Sequence, residues 1–199
     1  MIIFVNISIM EVKNSKIPSH AIKVFSGIIF DVYQWQQEMF DGSFKTFEMV
    51  KRLDTVSGIC VTRDKKIIMT KQEQPGSQPF YSVPSGRVER EELPLDAFLR
   101  ELKEETGYES YNVVPYQMPF PTRLSKVEWN IYNYLAKNCN KISDQNLDNG
   151  ERIEIMLLNW DDFVSFVCLP DFRHLDIQDY FKNSIKENTL NKVKELILN

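Results

Sequence analysis

Arg100, Glu101, Glu104 and Glu105 stand within six consecutive positions, with Gly86 and Glu92 before them and Gly107 just after. On a helix turning about 100° per residue, Glu101, Glu104 and Glu105 share one arc with Ala97. Leu95, Phe98, Leu99 and Leu102 share another, roughly opposite. Carboxylates this close repel one another unless something positive sits among them. Hard oxygen donors of this kind suit a divalent cation such as Mg²⁺ or Mn²⁺. Such a cation can neutralise a phosphate substrate and lower the pKa of a bound water, while a further carboxylate takes that water's proton. The competing reading is a solvated acidic face. In it, Arg100 makes only an i,i+4 surface pair with Glu104, worth roughly a few tenths of a kcal/mol.

The elements that must position these residues follow from the pattern around them. Pro94 suits a first helical turn and Gly107 a helix C-terminus, so a helix is expected between them. Upstream, Thr55–Thr62 and Ile67–Gln72 read as two strands joined by the turn Arg63–Lys66, and 73–79 as a loop by its Pro and Gly content. Further upstream, Ile22–Trp35 and Phe44–Arg52 are rich in β-branched and aromatic residues on either side of Asp41-Gly42, a tight-turn pair. They form an expected antiparallel hairpin. A lone hairpin is marginal in water, so it must pack on the following domain or on a second copy of the chain. Downstream, Tyr111–Pro121 reads as strand and loop, Val127–Ala136 as a central strand, Asn138–Gly150 as a polar surface loop and Arg152–Asn159 as a further strand. Asp161 and Asp162 cap a short helix reaching Val167. Leu175–Leu198 holds one or two amphipathic helices, with Phe181, Ile185, Leu190, Val193 and Ile197 at core spacings.

Composition narrows the class. At 199 residues, with 43% hydrophobic and 26% charged, the chain can bury a full core. A net charge of −4 argues against a nucleic-acid partner. Cys60, Cys139 and Cys168 form no C-x-x-C pair and, with only His20 and His174, no zinc constellation. They fit small apolar side chains in a reducing cytoplasm. The apolar start, residues 1–10, is broken by Asn6 and Ser8 and falls short of the roughly 20 residues a membrane span needs. It reads as a short strand or a poorly ordered leader, and translation could begin at Met1 or Met10. No membrane partner is expected.

The spacing Gly86, Glu92, then Arg100-Glu101-Leu102-Lys103-Glu104-Glu105-Thr106-Gly107-Tyr108 resembles the Nudix box. Tyr108 stands where that family usually carries an aliphatic residue. The resemblance covers roughly 56–166 and implies an α/β fold, the Nudix α/β/α sandwich with a mixed sheet. It divides the chain into an N-terminal β subdomain over 1–53 and a hydrolase domain with C-terminal helices over 54–199. Looser matches are similar to the ADP-ribose and nucleoside-diphosphate-sugar pyrophosphatases: the hairpin itself, Met69–Pro75, Pro84–Glu89 and Gly150–Ile155.

What the resemblance implies for function is hydrolysis of a nucleotide pyrophosphate with Mg²⁺ or Mn²⁺. Glu101 and Glu105 would be the principal metal ligands, with Glu104 assisting and the Ser85 carbonyl as a backbone ligand. Arg100 would orient the glutamates by pairing with Glu92. The general base would be Glu151, in the later loop, or Glu101, with Glu154 a nearby rival. Arg87, beside the turn, and Arg52, Lys71 and Arg123 are candidate phosphate contacts. The nucleobase would stack on an aromatic of the hairpin, or on Phe80, Tyr81 or Trp129. Related enzymes exchange the hairpin between subunits, so a homodimer through it is expected. Two other readings stand beside this one: a pyrophosphohydrolase of nucleoside triphosphates, and a non-catalytic nucleotide-sensing domain, which would be marked by lost box glutamates.

Overall fold

A computed structural model describes residues 15–116 and 126–199. Residues 1–14, with both candidate start methionines, and Arg123 lie outside them. The elements run β1 (Ile22–Ser26), β2 (Phe30–Glu38), β3 (Phe44–Arg52), β4 (Thr55–Thr62), β5 (Ile67–Glu73), β6 (Phe80–Ser82), β7 (Ser85–Arg87), α1 (Pro94–Thr106), β8 (Tyr108–Glu109), β9 (Asn112–Pro115), β10 (Val127–Glu128), β11 (Ile131–Lys141), β12 (Arg152–Leu158), α2 (Trp160–Val167), α3 (Leu175–Lys186) and α4 (Leu190–Leu198). Among the described residues no helix is long and apolar enough to cross a membrane. The described residues fall into two compact units, 15–53 with 126–129, and 54–116 with 130–199.

The smaller unit is a four-stranded sheet in the order β1-β2-β3-β10. β2 and β3 pair antiparallel from Phe30↔Arg52 to Glu38↔Phe44. The turn between them is held by Asp41, whose carboxylate accepts the Ser43 N–H at 3.0 Å. The run Ile22–Trp35, expected as one strand, breaks at Gly27, whose N–H donates to the Phe30 carbonyl at 2.9 Å. β1 then folds back on β2. Val127–Ala136, also expected as one strand, is divided too: β10 runs parallel to β3, and β11 belongs to the other unit. The small core is Ile17, Trp35 and Met49, with Trp35 and Phe47 rings 5.2 Å apart.

The larger unit is a mixed sheet in the order β12-β5-β4-β11-β8, to which β6, β7 and β9 attach. β4 and β11 run parallel from Ile131↔Thr55 onward, while β5 and β12 pair antiparallel. Side chains on a strand alternate between its faces, and here both faces are buried. Val56, Cys60, Ile68, Tyr134 and Ala136 meet Ala97, Phe98 and Leu102 of α1. The intervening Ile59, Val61, Ile67, Met69 and Leu135 meet Trp160, Phe163 and Val167 of α2, Ile177 and Phe181 of α3, and Val193 and Ile197 of α4. This is the sandwich expected of the sequence. Each fully buried Phe or Leu contributes roughly 2–3 kcal/mol through apolar burial, so the sheet is a rigid platform for the turn and helix it carries.

Smaller corrections follow from the same geometry. β11 continues to Lys141, so the polar loop begins later than expected. The cap of α2 is Asn159, whose side chain accepts the Asp162 N–H, leaving Asp161 and Asp162 in the first turn. Ile185 is exposed on α3.

Candidate active site

The buried seam of α1 is Ala97, Phe98, Leu102, Glu105 and Thr106; Leu95, expected on it, is exposed and Leu99 only half-buried. The acidic arc is therefore not opposite the seam but overlaps it. Glu105 lies in it, Glu101 at its border and Glu104 further out. Pro94 opens the helix, and Gly107, at φ +71°, closes it in the left-handed region that glycine adopts without strain.

Glu105 is 3% exposed. Its carboxylate accepts the Ser85 N–H at 3.0 Å and Gln72 Nε2 at 3.1 Å, which ties α1 to the start of β7 and to β5. Burial pushes its pKa well up, and the charges of Glu101 and Glu151 add to the shift. Glu101 lies over Gly86: a Cβ on Gly86 would stand 2.0 Å from its carboxylate. Burial lifts its pKa to about 7, against the pull of Arg100.

Arg100 gathers the cluster. Nε and Nη2 reach the two oxygens of Glu92 at 2.9 and 3.1 Å, Nη1 reaches Glu101 at 2.8 Å and Glu104 at 3.0 Å, and Nη2 also reaches the Arg87 carbonyl at 2.9 Å. The pairing with Glu92 and the i,i+4 pair with Glu104 thus coexist. The Arg100 hydrogen bond holds Glu92 below its usual range. A planar guanidinium can serve several carboxylates at once in a way an ammonium cannot.

Glu151 sits in the loop before β12, its N–H donating to the Asp148 carbonyl at 3.0 Å. Its pKa is raised by partial burial first, then by Asp148 and Glu104, against Arg87. Its carboxylate also accepts a hydrogen bond from the Asp148 backbone N–H, which opposes the rise. Glu154, on β12, lies opposite Lys71 and borders an open pocket of about 340 Å³ with Lys71, Glu73, Arg152 and Ile153. Arg87 is exposed on β7, within electrostatic reach of Glu151. Arg52 belongs to the smaller unit, where its guanidinium stacks 4.1 Å from the Trp129 ring. Of the candidate stacking aromatics, Trp35 is in the small core, Phe80 lies under Arg173 at 4.1 Å and Tyr81 packs on Phe166.

As the side chains lie, no three His, Cys, Asp or Glu groups among the described residues gather tightly enough to enclose a metal ion. Glu105 is turned to Ser85 and Gln72, and Glu101 and Glu104 to Arg100. The donor chemistry nevertheless fits a hard divalent cation. Three carboxylates on one helix turn are partly or wholly withdrawn from water, and two of them have raised pKa values that added positive charge would relieve.

His174 carries no signal in the local sequence, because its partner is remote; Gln72 lies in the Met69–Pro75 stretch of the resemblance, but its bond to Glu105 is not legible there. Ser82 Oγ donates to the Val83 carbonyl at 2.8 Å, lies 2.9 Å from His174 Nε2 and 3.4 Å from Ser85 Oγ. Ser82 Oγ and His174 Nε2 thus share a hydrogen bond. The residue keeps some exposed surface, but its imidazole is enclosed. That burial lowers its pKa to about 4, with Asp176 opposing and Arg173 reinforcing the shift. An unfolded histidine titrates near about 6.5. The native state therefore holds fewer protons, and stability falls as pH drops from about 6.5 toward about 4. Compared with His174→Asn, the wild-type chain is expected to lose on the order of 2–3 kcal/mol across that window. Parallel pH curves in urea melts of the two proteins would contradict this.

Residues 51–175 match the family model of the NUDIX domain. An ADP-ribose pyrophosphatase of Bacillus subtilis (strain 168) is 31% identical over 147 residues, 73% of this chain and 79% of that protein. A methanol dehydrogenase activator of Bacillus methanolicus is 29% identical over 147 residues, with the same shares covered. The solved structure of an ADP compounds hydrolase superposes with a TM-score of 0.65 at 15% identity, over 85% of this chain and 94% of that one, which shows the shared fold. The chain belongs to the Nudix family and is an enzyme of it, a pyrophosphohydrolase.

Proposed function

We propose that the protein hydrolyses the pyrophosphate of ADP-ribose or of a nucleoside-diphosphate sugar, with Mg²⁺ or Mn²⁺, in the cytoplasm. The observation that carries this reading is the carboxylate cluster on α1 over β7: Glu105 on the Ser85 N–H, Glu101 over Gly86, and Glu101 and Glu104 on Arg100, with Glu151 and Arg87 in electrostatic reach. The likeness to the Bacillus subtilis ADP-ribose pyrophosphatase supports the substrate class. The carboxylates of Glu101, Glu104 and Glu105 and the Ser85 carbonyl would hold the cation, which when bound neutralises phosphate charge and lowers the pKa of a bound water.

The chain's own part is orientation and proton transfer. Arg100 fixes Glu101 and Glu104. Gln72 and the Ser85 N–H fix Glu105. Glu151, a partly buried carboxylate whose pKa is raised chiefly by that burial, takes the proton of the attacking water. Arg87 meets the phosphate, and Lys71 is a further contact. The test is a panel of ADP-ribose, nucleoside-diphosphate sugars, dinucleotides and nucleoside triphosphates with Mg²⁺, read by product mass. Turnover of the triphosphates alone would overturn the substrate class.

The smaller unit supports a homodimer. Among the described residues its core is Ile17, Trp35 and Met49 with Ala21, Tyr33 and Phe47 packed against them, while Ile22, Val24, Phe25, Ile28, Phe30 and Phe44 are exposed on and beside its strands. A patch of that extent on a thin sheet marks an interaction surface. Sedimentation at micromolar concentration is expected to show a dimer, and Phe25→Asp to shift it to monomer. A monomeric wild-type chain would contradict the proposal.

A further inference from the structure

The last turn of a helix leaves carbonyls that no later residue of the helix can serve. In α1 each of them is served. Lys103 O accepts the Gly107 N–H at 2.7 Å, Glu104 O the Asn146 N–H at 2.9 Å, Glu105 O the Gln145 Nε2 at 2.6 Å, and Thr106 O the Lys141 ammonium at 3.0 Å. Three of these four donors come from 141–146, at the end of β11 and in the loop that leads on to Glu151. The approach is close throughout. The Gly107 carbonyl accepts the Ile142 and Ser143 N–H groups at 2.9 and 3.2 Å, and a Cβ on Gly107 would stand 2.1 Å from the Ser143 carbonyl.

Gln145 does more than cap the helix. The same Nε2 that reaches Glu105 O donates at 3.0 Å to the Ile153 carbonyl, on β12 two residues past Glu151. Both hydrogens of one NH₂ group are spent on two carbonyls, one beside the box carboxylates and one beside Glu151. A donor-only group is required there, because an oxygen at that place would face two acceptors.

We propose that Gln145 is a positioning residue that sets Glu151 against Glu104 and Glu105; the inference rests on Glu151 as general base. Gln145→Met keeps the side-chain length and removes both donors. It is expected to lower kcat about tenfold with KM within about twofold and to speed amide exchange in 146–152 while β4 stays protected. Gln145→Asn, which keeps the amide but is too short to span both carbonyls, is the milder variant if the first folds poorly.

The deciding measurement is the double variant. Glu151→Gln alone is expected to slow turnover about a hundredfold. In that background either change at Gln145 is expected to add less than about twofold, since the group it positions is gone. A merely structural role would multiply equally in both backgrounds, and that result, or a silent Gln145→Met in the wild-type background, would overturn the inference while leaving Glu151 as base. Wild-type turnover in Glu151→Gln would overturn both.

Discussion

Replacing Glu105 by glutamine is expected to lower divalent-cation-dependent turnover by at least about three orders of magnitude and to leave the fold standing. The side chain is 3% exposed and held at both oxygens, by the Ser85 N–H and by Gln72 Nε2. The glutamine oxygen can keep the Ser85 bond. Its NH₂ would then face the Gln72 NH₂, and Gln72 must turn its amide, giving up its 3.1 Å bond to Thr70 Oγ1. One such neutral bond is worth about 1 kcal/mol. Against that loss, the substitution removes a buried negative charge that Glu101 and Glu151 repel. In EDTA the melting temperature is therefore expected to stay within a few degrees of wild type, or to rise. Turnover unchanged in the folded variant would take Glu105 out of the metal set, and a collapsed fold would show that its role is structural.

The box was legible because its meaning lies in short-range spacing: Gly86, Glu92 and Arg100–Gly107 are fixed within one turn and one helix. Thr55–Thr62 was legible as a strand from its β-branched residues, but its burial on both faces was not, since that depends on the helices the sheet carries. Other features were hidden by distance. Gln72 bonds Glu105 across 33 positions, Gln145 bonds it across 40, and His174 reaches Ser82 across 92. None of these bonds has a local pattern, since each serves a carbonyl, a hydroxyl or a carboxylate brought near only by the sheet.

The errors also have physical causes. A helical wheel assigns arcs by hydrophobicity alone, so it put Leu95 on the buried seam and Glu105 off it. The actual seam is set by where the sheet and the Gly86 turn lie, and Glu105 is tolerated there because two donors meet it. Val127–Ala136 alternates like one strand, yet it is broken at Trp129 and Asn130, between the end of β10 and the start of β11. Here Asp54 intervenes: its carboxylate accepts the Asn130 N–H at 2.9 Å and holds the Asn130 side chain at 3.1 and 3.2 Å.

Gly86→Ala separates positioning from folding most sharply. Gly86 pairs with Val56 in regular strand geometry, and its φ is not positive, so alanine meets no backbone strain there. What it meets is Glu101, whose carboxylate carbon and one oxygen would each lie 2.0 Å from the new Cβ. Those atoms end a flexible side chain, and the low-cost response is for Glu101 to swing away, surrendering its 2.8 Å bond to Arg100. The fold should survive with a stability change of about 1 kcal/mol, while a ligand displaced by an ångström or more costs roughly two to three orders of magnitude in turnover. Gly107 is the opposite case. A side chain there would be strained at φ +71° and would strike the Ser143 backbone carbonyl, which has no rotamer to yield. The two glycines of one motif thus protect different things, the first a carboxylate's place and the second a helix end. Full turnover in Gly86→Ala, with the wild-type melting temperature, would mean that Glu101 acts from some position other than the one it holds over this turn.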